Sequence, residues 1–263
     1  MARESDPETS GSGWLEQSED AVLKHLLETD RPDWENLASH PAFHTGWVAF
    51  FLKRNRPIAR EVLQEIFSNR AFLRDYLVIR NLYRCPSVPV GLAMNLVSRI
   101  RWVDLVHAMR DPYLTGPLRR RAEQQVLKIF PGLAEGQKVQ LAKMAPRCMI
   151  VHLRALPERM LIRHLMLNHF FTHEDALFVA SYPKISPMSL TELASCPRWS
   201  NRREIRRAIL CHTRVPRAAV MKVARTIPVH EIQSLLASAD LAPVSRQVLS
   251  KRVPATRPGH RRP

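Results

Sequence analysis

The stretch NRAFLRDYLVIRNLYRCPSVPVGLAMNLVSRIRWVDLVHAMRDPYLTGPLRRR, Asn69–Arg121, lies without a gap on CPRWSNRREIRRAILCHTRVPRAAVMKVARTIPVHEIQSLLASADLAPVSRQV, Cys196–Val248, 127 positions later. Val88-Pro89 falls on Val215-Pro216, Met94 on Met221, Ile100 on Ile227, Leu105 on Ile232, Leu114 on Leu241 and Arg119 on Arg246. Phe72 with Trp199, Val78 with Ile205 and Leu96 with Val223 are conservative pairs between them. Identities are few, but the apolar positions agree along the whole stretch. Self-similarity at a fixed distance is the mark of a repeat architecture.

Shorter steps recur inside each copy. Pro86-Ser-Val-Pro89, Pro112-Tyr-Leu-Thr115, His169-Phe-Phe-Thr172, Pro197-Arg-Trp-Ser200 and Thr213-Arg-Val-Pro216 each place a small polar residue or proline before an apolar-periodic run. That is how a helix begins. From Asn69 to Cys85 is 16 residues and from Cys85 to Asp111 is 26, and the same steps run from Cys196 through His212 to Ser238. Together they predict a period near 42 residues, with 127 close to three periods. In Ser200–Cys211 the stripe Ile205, Ala208, Ile209 and then His212 opposes Arg202, Arg203, Arg206 and Arg207. In Pro216–Thr226, Ala219, Val220 and Val223 oppose Arg217, Lys222 and Arg225, and Pro228 opens a third helix carrying Ile232, Leu235 and Leu236. Ile205, Ile209, Val215, Val220 and Leu236 are therefore expected in the core, as are Val78, Val88, Ala93 and Met109.

The pattern Pro-Arg-Trp-Ser, a helix and then Arg-Val-Pro resembles HEAT-like repeat proteins, bacterial ones without an assigned role among them. With the period, the resemblance to HEAT and armadillo repeats implies an all-α, right-handed solenoid of about six units between Asp20 and Lys251. The first unit, Glu19–Phe67, and a middle one, Pro131–Leu167, read as irregular. The expected organisation is a disordered tail over 1–18, one helical-repeat domain over 19–251, and a basic disordered tail over 252–263.

Composition agrees with helices. There are 8 glycines against 20 prolines and no Asn-Gly or Asp-Gly turn in the 263 residues, so tight hairpins are not favoured. The hydrophobic share of 45% is enough for a core. Cys85, Cys148, Cys196 and Cys211 form no C-x-x-C pair and read as free thiols of a reducing compartment. The acidic, Ser- and Gly-rich start has no apolar run, and no segment is apolar enough to span a membrane, so a cytoplasmic protein is expected.

Forty basic residues against 24 acidic give a charge of +16, a field that favours acidic partners, nucleic acid among them. Arg198, Arg202, Arg203, Arg206, Arg207, Arg214 and Arg217 fall close together, Arg119, Arg120 and Arg121 open the matching helix of the earlier copy, and Arg70, Arg74, Arg80 and Arg84 add a strip. Stacked at equivalent repeat positions, Arg119, Arg120, Arg121, Arg202, Arg203, Arg206, Arg207 and Arg217 are the candidate nucleic-acid contacts. Solvated arginine on outer faces is the plainer reading of the same residues.

No G-x-S-x-G, Walker loop or G-x-G-x-x-G is present, and no cofactor is expected. His164, His169 and His173 lack metal-site spacing and read as residues lining or capping a turn, so no metal is expected. HEAT-like DNA glycosylases, which the chain resembles in architecture and charge, use an Asp flanked by tryptophans. Trp102, Asp104 and Trp199 are the nearest match, but Trp102 and Trp199 read as core residues and Glu231, the counterpart of Asp104, as a solvent-facing acid. The expected function is a non-enzymatic scaffold binding a protein partner, with nucleic-acid binding as the alternative.

Overall fold

The computed structural model describes residues 17–54, 57–156 and 158–252. Among them the chain is all-α, with eighteen helices and no strand. It divides after Ile129 into two compact units. Except for Gln17, Ser18 and Arg252, the two expected tails lie outside the described residues.

Unit 1 holds α1 (Glu19–Glu28), α2 (Trp34–Ala38), α3 (Gly46–Phe51), α4 (Arg60–Ser68), α5 (Tyr76–Arg84), α6 (Val90–Leu96), α7 (Trp102–Arg110) and α8 (Gly116–Ile129). Unit 2 holds α9 (Glu135–Met144), α10 (Arg147–Leu153), α11 (Arg159–Leu165), α12 (His173–Ser181), α13 (Pro187–Ser195), α14 (Pro197–Ser200), α15 (Arg203–Cys211), α16 (Arg217–Thr226), α17 (Val229–Leu236) and α18 (Pro243–Ser250). The starts of α3, α4, α5, α6, α7 and α8 recur 127 positions later as those of α12, α13, α15, α16, α17 and α18. The short α14 answers a 3-10 turn at Phe72–Arg74.

The self-match thus reaches back through α3 and α4, into segments that read as irregular. Ile58 and Ile185, Leu63 and Leu190, and Ile66 and Leu193 are equivalent and buried. So are Val78 and Ile205, Val88 and Val215, Ala93 and Val220, Ile100 and Ile227, and Leu105 and Ile232. From α3 to α8 and from α12 to α18 the two units follow one helix plan.

The helix starts also recur at fixed steps. From α3 to α5 to α7 the steps are 30 and 26 residues, as they are from α12 to α15 to α17. The 16-residue step from Asn69 covers the 3-10 turn and α5, whereas the 26-residue step from Cys85 covers both α6 and α7. Their sum spans three helices. Within unit 1, α1 packs on α3, α3 on α5, and α6 on α8. Within unit 2, α9, α11, α13, α16 and α18 pack in succession, and α12 packs on α15.

Local chemistry sets the boundaries. Thr172 caps α12 in a reciprocal box with Asp175, and prolines stand in the first turn of α13, α14 and α18. Pro197-Arg-Trp-Ser200 is itself the α14 turn, so the following helix begins at Arg203 instead of Ser200. Two turns are closed by imidazoles: Nε2 of His212 meets the Tyr182 carbonyl at 3.0 Å while Nδ1 accepts from the Arg214 amide at 3.0 Å. His40 repeats this with the Gln17 carbonyl and the Ala42 amide. An accepting Nδ1 places the proton on Nε2.

Most of the expected core is buried: Ile205, Ile209, Val215, Val220, Val78, Val88, Ala93 and Met109. Leu236 is only half-buried, because it ends α17 and the next turn leaves it at the rim. Trp199 is core, with its Nε1 donating to the Met166 carbonyl at 3.3 Å. Trp102 is half-buried, since as the first residue of α7 it overhangs the packed face.

Candidate functional site

The arginines of α15 have different tasks. Ile205 and Ile209 face the core, and the 100° helical step carries Arg203 and Arg207 to solvent but leaves Arg206 at the edge of the buried stripe. There Arg206 Nη2 donates to both carboxylate oxygens of Glu231 on α17, at 3.1 and 2.9 Å, and Nη1 donates to the Asn201 carbonyl at 2.7 Å. Arg206 is therefore a frame residue, and Glu231 is a buried partner, not the solvent-facing acid expected. A one-dimensional charge pattern could not show that α17 brings a carboxylate to this point.

Arg203 and Arg207 line a cavity of about 460 Å³ with Glu204, Glu231, Ser234, Leu235 and Ser238. Two acids share it with two cations, and Arg207 also lies 3.8 Å from Asp240. Arg202 is exposed just ahead of α15, and Arg198 lies over the Trp199 ring at 4.5 Å. Arg119, Arg120 and Arg121 are exposed on α8. By helix register the counterpart of α8 is α18 and that of α15 is α5, so these three arginines do not match the α15 group. On α5, Arg80 is 3.9 Å from Asp104 and Arg84 bonds Asp111 at 2.8 Å.

Arg217 belongs to a different place. With Met221, Ala224 and Arg225 of α16 and Gln247, Val248, Lys251 and Arg252 at the end of α18, it lines a groove of about 320 Å³. Four of the eight lining residues are cations and none is an acid. Of these cations Arg217 is a candidate nucleic-acid contact in the sequence, Arg225 reads only as part of the polar side of its helix, and Lys251 and Arg252 read as the end of the repeats and the start of the basic tail. The signal was there: Arg217, Met221 and Arg225 are spaced i, i+4, i+8 and so share one ridge of a helix.

The deepest charge cluster is Asp175 on α12, fully buried. It accepts from the Thr172 amide and hydroxyl at 2.9 Å, from Arg154 at 2.5 Å and from Arg147. Burial pushes its carboxyl up, but the Thr172 bonds and the two guanidiniums outweigh that and hold it below the ordinary aspartate value. Its acceptors are shared between capping α12 through Thr172 and tying α10 and the turn after it to α12 through Arg147 and Arg154.

The histidine cluster has structural partners. His173 Nε2 is 2.7 Å from Glu204, and His169 is exposed against the Phe170 ring. The turn is held by Asn168, whose amide donates to the carbonyls of Ala142, Lys143 and Ala145 and whose oxygen accepts from the Phe170 amide. His164 is held below the ordinary imidazole range by burial, with Lys143 and Arg163 adding to it. Among the described residues no three His, Cys, Asp or Glu side chains are grouped to hold a metal ion, and no helix is long and apolar enough to cross a membrane. Asp104, the nearest match to a glycosylase carboxylate, accepts from the Tyr76 hydroxyl.

Compared with protein-family models, curated proteins and solved structures, the chain matches none.

Proposed function

We propose that the chain is a non-enzymatic binding scaffold, a right-handed α-solenoid of the kind HEAT and armadillo repeats form, presenting stacked helix faces to a protein partner. One observation carries this reading. The successive helices α13, α16 and α18 each keep a large apolar residue exposed, namely Met188, Met221 and Val244, and Met221 shares its groove with Arg217, Arg225, Lys251 and Arg252. Exposed apolar groups that join into one patch mark an interaction site, as Met221 does with Val248 and Ala224. Helix pairs stepping by 26 and 30 residues support a solenoid, in which each pair buries its stripe against its neighbours.

The second reading, nucleic-acid binding, is favoured by the acid-free groove lined by Arg217, Arg225, Lys251 and Arg252. The full-length protein, immobilised and exposed to lysate of its native cell with and without nuclease, separates the two. A scaffold retains a protein partner after nuclease and loses it when Met188 and Met221 are both changed to Glu. Partners that vanish with nuclease, or none at all, would count against the scaffold.

A further inference from the structure

We propose that the groove between α16 and the end of α18 seats an acidic peptide segment that carries a bulky apolar side chain. This names the partner chemistry for the scaffold reading and rests on it.

The floor is apolar. Ala224 is nearly buried and small, Met221 is exposed beside it, and Val248 faces them from α18. A methionine floor takes a range of apolar side chains because its unbranched thioether adapts to their shape. At about 320 Å³ the groove lies at the small end of ligand sites, matched to one or two side chains and their backbone.

The rim is cationic and unspent. No side chain of Arg217, Arg225, Lys251 or Arg252 has an ion-pair partner among the described residues. Arg225 stands in the last turn of α16, and Lys251 and Arg252 follow the last turn of α18, where the helix dipole favours cations. Arg217 does not share that excuse. It opens α16, the end at which the dipole disfavours positive charge, so its place is explained by what it faces.

The other unit provides a control written into the chain. The same eight positions there are Val90, Met94, Val97, Ser98, Arg120, Arg121, Gln124 and Gln125. Only two are cations, and neither stands where a cation of the α16–α18 groove stands. The methionine is common to both, Met94 and Met221. The four cations are thus particular to this groove and do not come with the helix plan.

Carboxylates on a peptide meet this rim, and an apolar residue between them meets the floor. Nucleic acid fits less well. Its phosphates would satisfy the rim, but the lining holds no aromatic ring for a base to stack on, and Met221 would face a charged backbone.

Random peptides displayed on phage and selected on the full-length protein test this, followed by fluorescence polarisation with an enriched peptide. Enriched sequences should combine Asp or Glu with Leu, Ile, Phe or Trp. Arg217→Glu with Arg225→Glu should weaken binding by about tenfold or more, Met221→Ser by a smaller factor, and Arg203→Glu with Arg207→Glu should leave it unchanged. Circular dichroism melts of each variant confirm that it folds. Peptides lacking acids, or binding the Arg217/Arg225 variant undiminished, would overturn the groove assignment and leave the scaffold reading intact. Failure to enrich any peptide would also overturn it. A short DNA duplex or oligo-dT bound by the wild type and lost in the same variant would do so too, by making nucleic acid the occupant. The scaffold reading falls separately, on the lysate experiment.

Discussion

Arg206 and Glu231 form a two-bonded ion pair, 3.1 and 2.9 Å, with side chains only 11% and 10% exposed. Cutting one member strands the other out of water. Arg206→Ala is therefore expected to cost about 3–5 kcal/mol. Arg207→Ala, one residue on and paired only loosely with exposed Asp240 at 3.8 Å, should stay within about 0.5 kcal/mol. Urea unfolding of the two variants beside the wild type measures the difference, and coincident midpoints would show that the buried pair contributes nothing.

Core position decides the next pair. Ile205 is fully buried, so Ile205→Ala should cost about 2–5 kcal/mol. Leu236 is half-buried at the end of α17, and Leu236→Ala should cost less than half as much. A larger loss at Leu236 than at Ile205 in thermal melts would put the wrong face of α17 against the core.

Asp175 links stability to acid. Its native carboxyl titrates below the ordinary aspartate value of 3.8, so its contribution is fully present above that value and is lost as pH falls through the native one. Asp175→Ala should destabilise by about 3 kcal/mol at neutral pH, leaving the Arg154 guanidinium without its acid. The gap to wild type should narrow steadily in urea titrations carried into the acid range. A gap independent of pH would mean that the charge of Asp175 is irrelevant and only its shape matters.

Tyr83 does the converse at the alkaline end. Burial pushes its phenol up to about 12 from an ordinary 10.0, and its hydroxyl donates to the Leu118 carbonyl at 2.8 Å. An acid raised in the native state stabilises fully below its unfolded value, and that stability is lost as pH rises through the native one. Tyr83→Phe should cost about 1–2 kcal/mol at neutral pH, and its stability should decline less than the wild type's between pH 10 and 12. Parallel alkaline limbs in the two proteins would refute the assignment.

Periodicity carried the sequence reading well and burial of charge carried it badly. Val78 with Ile205 and Val88 with Val215 announce helices by apolar spacing, and those helices begin in the same register. The match through α3 and α4 is hard to read at the start of α3, where Gly46, Trp47 and Val48 correspond to His173, Glu174 and Asp175. The counterpart of Val48 is fully buried Asp175, and the Thr172 bonds with the guanidiniums of Arg147 and Arg154 make a carboxylate tolerable there. Arg206 looked like its neighbours for the same reason, since its acid arrives from another helix. The groove cations were half legible, as Arg217 and Arg225 share a ridge by count, whereas Lys251 and Arg252 come to it only through the packing of α16 on α18.

The shared register has a practical edge. Tyr76–Leu96 and Arg203–Val223 have the same number of residues, begin on the first residue of a helix, and enclose turns of one length. Letters have drifted while distances have been held, so the loops behave as spacers in a ruled measure. Such a chain is editable by cassette. The helix pair of one unit matches the other in length to the residue, so a swap keeps the register, and its penalty falls where Ile79 would replace the Arg206 that holds Glu231.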